Sequence, residues 1–122
     1  MSEQLEAIKQ LSEFVLKEDW AKVKTYLTDD LFYKVGSSEP KHGKEAVSDF
    51  LSMIFKTTAK LEGHDVRKIW EEPGMIAIEM DANYRLVKNN QMVKVACCDV
   101  YRMRGNQNYE WRVYADGSPL FQ

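Results

Sequence analysis

Cysteine, histidine, proline and long apolar runs are all scarce in this sequence, and each shortage narrows the possible functions. The 122 residues include 2 cysteines and 2 histidines, and neither type occurs at a spacing such as C-x-x-C or H-x-x-x-H. We therefore expect no metal site, and nothing in the sequence indicates a cofactor. No apolar stretch approaches the ~20 residues that a membrane-spanning helix needs, so we expect no membrane partner.

An excess of one charge is also lacking. The 17 basic and 19 acidic residues give a net charge of -2 and are interspersed, without the basic stripe typical of nucleic-acid-binding proteins. The first ten residues are polar and acidic, unlike a secretory signal. Cys97 and Cys98 are adjacent, so they point to opposite faces of a strand and are expected to be free thiols. We expect a cytoplasmic protein with one domain over residues 1–122.

Three segments have apolar residues at helical spacing. Residues 3–17 carry one apolar stripe, a shorter segment follows Asp19, and residues 44–61 form the longest amphipathic stretch. Ser2 and Asp19 are predicted N-caps of the first two helices. Gly63 lies where a left-handed C-cap would end the third helix. The sequence therefore predicts three helices, all before the main run of strands.

Strand signals dominate the rest of the chain. The predicted strands are residues 31–35, 64–71 and 75–87, followed by two long strands within residues 91–118. A tight turn at residues 104–107 joins the last two, where Gly105 tolerates positive φ. This order of elements indicates an α+β fold, with a strongly curved antiparallel sheet bent around the long helix. Such a sheet leaves a cone-shaped space, and its polar outer face is either solvated or paired with a second subunit.

Two acids interrupt the apolar pattern of the last two strands. Asp99 lies in the first of them and Asp116 near the end of the second. An acid in an apolar strand either faces solvent or lies in a cavity, where burial raises its pKa. Asp116 precedes a Gly-Ser-Pro sequence, so it is also a candidate turn residue. The positions of these two acids decide whether the protein has an acid–base site.

Four stretches of the chain resemble the nuclear transport factor 2-like superfamily, in particular its SnoaL-like and ketosteroid isomerase-like members. They are DW at 19–20 with YLTDD at 26–30, SEPKHGKEAV at 38–47, CDVYRM at 98–103 and WRVYAD at 111–116. The resemblance implies a cystatin-like cone with three N-terminal helices, an internal pocket and dimerisation through the sheet. It implies less about chemistry, because this fold serves isomerases, cyclases, hydrolases, dehydratases and non-catalytic modules.

The resemblance carries over only part of each catalytic set. Asp99 matches the isomerase acid that donates a hydrogen bond to the substrate oxyanion, which requires an apolar site that keeps it protonated. The isomerase general base falls at Lys34 or Val35, and its tyrosine near Gln10 or Leu11. Two of the three isomerase groups are therefore absent.

The hydrolase and cyclase comparison gives a similarly mixed result. Asp116 matches the acid that ends the corresponding motif of SnoaL-like cyclases and limonene epoxide hydrolase-like enzymes. Arg85 matches the arginine of the hydrolase Arg-x-Asp pair, but Val87 stands where the acid should be. A water molecule would then lack half of its proton-handling partners.

The sequence therefore favours a small-molecule pocket protein of the SnoaL-like type and leaves catalysis open. In one hypothesis an isomerase, cyclase or dehydratase acts on a small, partly apolar substrate, with Asp116 accepting a proton while Asp99 and Tyr114 polarise an oxygen. The alternative is a non-catalytic ligand-binding or dimerisation module. His64 is predicted to be a structural residue. The predicted ligand-binding residues are Trp20, Tyr33, Phe50, Ile54, Cys97, Tyr101 and Arg85.

Overall fold

A computed structural model describes residues 2–121, so the predicted domain ends at 1 and 122 lie outside the described residues. The helices are α1 (Glu3–Leu16), α2 (Trp20–Thr25) and α3 (Lys44–Thr57), with a C-terminal 3₁₀ helix over Ser118–Phe121. The strands are β1 (Leu27–Val35), β2 (Lys41–His42), β3 (Ala59–Glu72), β4 (Met75–Leu86), β5 (Met92–Arg104) and β6 (Gln107–Ala115). No helix within 2–121 has the length and apolar content to cross a membrane.

The strands form one curved sheet of six strands, in the order β2-β1-β6-β5-β4-β3, and the three helices pack on it. The predicted α+β cone is confirmed. All strand pairs are antiparallel except β1 and β6, which are parallel. A long connection separates β1 from β6 in the chain, so no hairpin forces these two strands to run in opposite directions. The sheet is therefore mixed.

The curvature of the sheet coincides with interruptions of its register. In β3 the pairing with β4 shifts between Leu61 and Gly63 and again between Val66 and Lys68. A third shift separates Arg102 and Met103 in the pairing of β5 with β6. An extra residue bends its strand and increases the local twist. The shifts thus help to bend the sheet around the helices.

Helices α1 and α2 begin as the sequence predicts. The Ser2 side chain accepts a hydrogen bond from the backbone N–H of Leu5, and Asp19 accepts one from Lys22. These bonds satisfy N–H groups that the first helical turn leaves without partners. The apolar stripe of α1 is buried in the core and consists of Leu5, Ile8, Leu11 and Val15.

The predicted end of α3 is wrong. The helix ends at Thr57 rather than at residue 61, and Ala59 already belongs to β3. Gly63 lies inside that strand without positive φ, so it is not a C-cap. Leu61 is buried in both interpretations, because its position continues the helical stripe and also faces the core from β3. Pairing with the full length of β4 decides in favour of the strand.

Two hairpin turns are tied to the start of α1 through one side chain. The Gln4 Nε2 atom donates to the carbonyl of Gly105 at 2.8 Å, between β5 and β6. The Gln4 Oε1 atom accepts from the backbone N–H of Gly74 at 3.1 Å, between β3 and β4. The end of the sheet that contains these two turns is thereby fastened to α1.

Substitution of Gly105 tests the predicted turn. Gly105 has φ +60° in the two-residue connection between β5 and β6, a conformation that disfavours a Cβ atom. We expect Gly105→Ala to lower the free energy of unfolding by about 1 kcal/mol in urea denaturation. Gly63→Ala is the matched control, because Gly63 lacks positive φ and a Cβ there meets no atom within 4 Å. Equal stability of the two variants would contradict the turn assignment.

Candidate functional site

A small chamber lies between the concave face of the sheet and helices α1 and α3. Its volume is about 80 Å³, and its wall is mainly apolar. The polar or titratable side chains in the wall are Ser12, His64, Tyr84, Cys97, Asp99, Tyr101 and Trp111. Strands β3 to β6 supply all of these except Ser12, which comes from α1. The chamber is therefore built chiefly by the inward-facing residues of four neighbouring strands.

Asp99 is the carboxyl group of this chamber, and it is only 7% exposed. Its Oδ2 atom accepts two hydrogen bonds of 3.2 Å, one from the Tyr101 hydroxyl and one from Trp111 Nε1. Its Oδ1 atom is buried and has no hydrogen-bond partner among residues 2–121. A buried polar atom without a partner costs free energy, so Oδ1 is a position where a bound molecule would be stabilised.

The pKa of Asp99 follows from this environment. Burial raises it from the ordinary value of 3.8 to about 6, because the apolar surroundings disfavour the charged form. Hydrogen bonds from Trp111 and Tyr101 favour the carboxylate, with a weaker contribution from Cys97, and they oppose the effect of burial. Near neutral pH, Asp99 is then mainly ionised but a stronger base than an ordinary carboxylate.

The other titratable groups of the chamber are shifted towards their neutral forms. Burial raises the pKa of the Cys97 thiol to about 12, and the nearby Asp99 adds to this effect. Burial, again reinforced by Asp99, raises the pKa of Tyr84 well above its usual value. Burial lowers the pKa of His64, against an opposing effect of Asp65. Asp99 is therefore the charged group of a chamber whose other titratable members are neutral at pH 7.

A larger vestibule adjoins the chamber. Its volume is about 380 Å³, and the two spaces share the wall residues Tyr84, Val95, Val113 and Ala115. Lys41 and Glu39 supply the charged groups of the vestibule wall, and Lys41 Nζ lies 4.3 Å from the centre of the Phe50 ring. Leu120 and Phe121 of the C-terminal 3₁₀ helix line its other side. We refer to the chamber and the adjoining vestibule together as the pocket, whose buried carboxyl group lies in the chamber.

The structure brings most of the predicted ligand-binding residues to this pocket. Cys97 and Tyr101 line the chamber, while Tyr33, Phe50 and Ile54 line the vestibule. Trp20 lines neither space. Its ring packs against Phe55, with 5.8 Å between ring centres, and Phe55 in turn lines the chamber.

Asp116 does not meet Asp99 in the pocket, contrary to the predicted pair of acids. It is exposed, and its Oδ1 atom accepts hydrogen bonds from the Ser118 backbone N–H at 3.2 Å and the Ser118 hydroxyl at 2.8 Å. These bonds lower the pKa of Asp116, as expected for an acid in the turn that precedes the 3₁₀ helix. Asp116 is therefore placed as a turn residue, the alternative that the sequence analysis left open.

Tyr114 and Arg85 also lie outside the pocket, on the convex face of the sheet. Tyr114 is 53% exposed and pairs across the strands with Cys98. Arg85 donates to Glu62 Oε1 and to the Asn90 carbonyl, both at 3.2 Å. Both residues occupy outward positions in the alternation of their strands, so neither side chain reaches the chamber.

His64 is the residue of the chamber that sequence reasoning assigned to a structural role. It pairs with Ala82, whose side chain also lines the chamber. Among residues 2–121, no three His, Cys, Asp or Glu side chains lie close enough together to hold a metal ion.

Comparison with known proteins agrees with this architecture. The SnoaL-like domain family matches residues 8–111. The chain belongs to the SnoaL-like family. No curated protein sequence matches this SnoaL-like chain.

Solved structures of the same fold match almost the whole SnoaL-like chain. An LEH-like epoxide hydrolase of M. tuberculosis has a TM-score of 0.82 and 18% identity, over 98% of this chain and 86% of that one. A candidate SnoaL-like polyketide cyclase from Shewanella putrefaciens CN-32 has a TM-score of 0.85 and 8% identity, with 97% and 93% covered. An NTF2-like protein of unknown function from Burkholderia pseudomallei K96243 has a TM-score of 0.84 and 15% identity, over 98% of this chain and 95% of that one. At these identities the similarity shows the fold alone, whereas the family match over residues 8–111 confirms the predicted superfamily.

Substitution of Asp99 tests its buried, raised pKa. The folded-state pKa of about 6 lies above the ordinary 3.8, so the cost of burying the carboxylate is absent below about pH 4 and complete above about pH 6. We expect the free energy of unfolding of Asp99→Asn, relative to that of the wild type, to rise by up to about 3 kcal/mol when the pH is raised from about 4 to about 8. Thermal denaturation at both pH values measures this change.

Asp116→Asn is the matched control, because Asp116 is exposed on the surface. Its pKa is lowered from 3.8 rather than raised, so the stability that its charge contributes is lost only below about pH 4, and its difference from the wild type should stay nearly constant between about pH 4 and pH 8. A pH-independent difference between wild type and Asp99→Asn would show that Asp99 is not held in an apolar site.

Proposed function

We propose that the protein binds a small, mainly apolar molecule in the chamber and vestibule, and that Asp99 exchanges a proton with it. The observation that carries this proposal is the Asp99 Oδ1 atom, which is buried in the apolar chamber without a hydrogen-bond partner among residues 2–121. A ligand hydroxyl or N–H group would satisfy this atom, while the apolar part of the ligand would lie against the walls.

The geometry around Asp99 supports proton transfer by this single carboxyl group. Tyr101 and Trp111 hold Oδ2, so Oδ1 is the atom left to act on a ligand. A pKa of about 6 lies close to neutral pH, where a carboxylate both accepts and returns a proton effectively. Asp99 thus takes the proton-accepting role that the sequence suggested for Asp116. Isomerisation, cyclisation and dehydration all need such a residue.

Epoxide hydrolysis, the activity in the name of one structural relative, fits this pocket less well. The resemblance to limonene epoxide hydrolase-like enzymes places Val87 where their second acid should be, and Asp116 lies outside the pocket. The attacking water would then meet one carboxylate instead of two. This shortage of acids also supports the second candidate function, in which the pocket carries a ligand without converting it.

A pair of probes of equal size tests the role of Asp99. Cyclohexanol donates a hydrogen bond to an ionised Asp99, whereas cyclohexanone accepts one from its protonated form. We expect the wild type to prefer cyclohexanol at about pH 8, and this preference to fall on the order of tenfold at about pH 4.5, as Asp99 becomes protonated. Titrations followed by NMR measure both affinities.

Asp99→Asn is the control for this titration, because it removes the ionisable group at nearly constant shape. In that variant the preference between the two probes should no longer change through the pH range in which Asp99 titrates. An unchanged preference in the wild type, or no binding of either probe, would refute the proposed pocket. A catalytic function additionally requires that Asp99→Asn abolish turnover once a substrate is known.

We also propose that the protein forms a homodimer through the convex face of its sheet. Trp70 is 47% exposed there and pairs with Ala77, which pairs with Val100 on the next strand. These three side chains form an apolar row, and the exposed Tyr114 lies nearby on β6. A second copy would remove this surface from water.

The free thiols of Cys97 and Cys98 support a reducing compartment, and we infer a cytoplasmic location.

Sedimentation velocity at micromolar concentration tests this dimer. We expect Trp70→Lys to weaken dimerisation at least about tenfold, because it replaces the largest exposed side chain of the apolar row with a charge that the interface would desolvate. Met53→Lys is the matched control, because Met53 is exposed to a similar degree but lies on α3, away from the convex face. A monomeric wild type would contradict the proposed interface.

A further inference from the structure

We propose that His64 is a second recognition group of the chamber, so that the bound molecule carries two polar groups, one for Asp99 and one for His64. This inference rests on the proposed function and narrows its ligand class to small molecules with a hydroxyl and a separate hydrogen-bond acceptor such as a carbonyl. It depends on three features of His64: its direction, its lack of partners and its separation from Asp99.

The direction of His64 is set by an irregularity in β3. Leu61 faces the core and pairs with Tyr84, while Gly63 pairs with the next residue of β4, Asn83. Glu62 is therefore an extra residue, and it reverses the alternation of the strand. His64 then pairs with Ala82 and faces the chamber, where a regular strand would direct it to the convex face.

The half-buried His64 ring is not held in place by hydrogen bonds from neighbouring side chains. Neither ring nitrogen forms a hydrogen bond with a described residue. The neighbouring Asp65 is occupied elsewhere, because its Oδ2 atom accepts from Lys94 at 2.9 Å and from Asn83 at 3.2 Å on the convex face. The ring N–H of a neutral His64 is consequently available to a molecule in the chamber.

His64 and Asp99 occupy separate parts of the chamber wall. Their positions in the sheet register correspond to Ala82 and Ile78 of β4, and their own strands lie on either side of β4. Ordinary strand spacing places their Cα atoms roughly 13 Å apart along the strands and roughly 10 Å apart across them. One ligand atom cannot contact both groups at that spacing, even on a concave face. A small molecule with two separate polar groups can contact both residues.

The chemistry of the two residues assigns each polar group. An ionised Asp99 Oδ1 accepts a hydrogen bond, so it selects a hydroxyl or N–H group. Burial favours the neutral form of His64, whose one N–H donates and so selects an oxygen acceptor. Ala82 lies between them in the sheet register, and other apolar side chains such as Leu61 and Val95 line the same chamber, which suits a hydrocarbon spacer. A hydroxyketone has this arrangement of groups.

The test compares cyclohexanol with 4-hydroxycyclohexanone, which adds a carbonyl to the same ring. At about pH 8 we expect the wild type to bind the hydroxyketone about threefold to tenfold more tightly than cyclohexanol, as a net hydrogen bond provides. His64→Phe should abolish this advantage, so that the two probes bind with nearly equal affinity, whereas His64→Gln, which keeps a donor, should retain part of it. The His64 ring resonances should shift on addition of the hydroxyketone more than on addition of cyclohexanol.

The two proposals fail in different ways. If cyclohexanol affinity depends on Asp99 but the carbonyl gives no advantage that His64→Phe removes, the inference about His64 is wrong and the proposed function stands. If Asp99→Asn leaves the affinities of both probes unchanged, the proposed function itself is wrong. Stability of each variant, measured by thermal denaturation, separates loss of binding from loss of folding.

Discussion

Each strand of the curved sheet directs alternate side chains to the concave face, where they meet the helices, and to the convex face, where they meet water. On β5 this alternation turns Asp99 and Tyr101 inward, and on β6 it does the same for Trp111, which pairs with Tyr101. The two donors therefore meet one oxygen of Asp99. Neither the core nor the chamber could form if β5 and β6 slipped by one residue, because such a shift exchanges the two faces.

The burial of Asp99 has a cost that the core must offset. Two hydrogen bonds stabilise Oδ2, but Oδ1 is left without a partner in the described protein, and the raised pKa reflects the remaining penalty. An apolar side chain at this position would avoid that penalty. A fold that keeps a carboxyl in such a place loses stability, and the loss is understandable if the carboxyl acts on a bound molecule.

Much of this architecture could be predicted from the sequence, and the failures have identifiable physical causes. Local signals gave the caps at Ser2 and Asp19 and the turn at Gly105, because each depends on a few neighbouring residues. The alternation that buries Trp111 also implies an exposed Tyr114 and an outward Asp116, but similarity to family motifs outweighed it in the prediction. For His64 the sequence shows no signal of an inward position, since the extra residue at Glu62 becomes visible only when β3 pairs with β4. Long-range pairing likewise decided where α3 ends.

The contacts of Gln4 bear on how molecules reach the interior. This side chain fastens α1 to the turns at Gly74 and Gly105, so the end of the cone beneath them is closed by a helix and two hairpins. The opposite end is bordered by the loop that contains Ser38 and by the short C-terminal 3₁₀ helix. A ligand should therefore enter and leave the pocket at this second end. The C-terminal 3₁₀ helix, which lines the vestibule there, would then lie beside the path of entry.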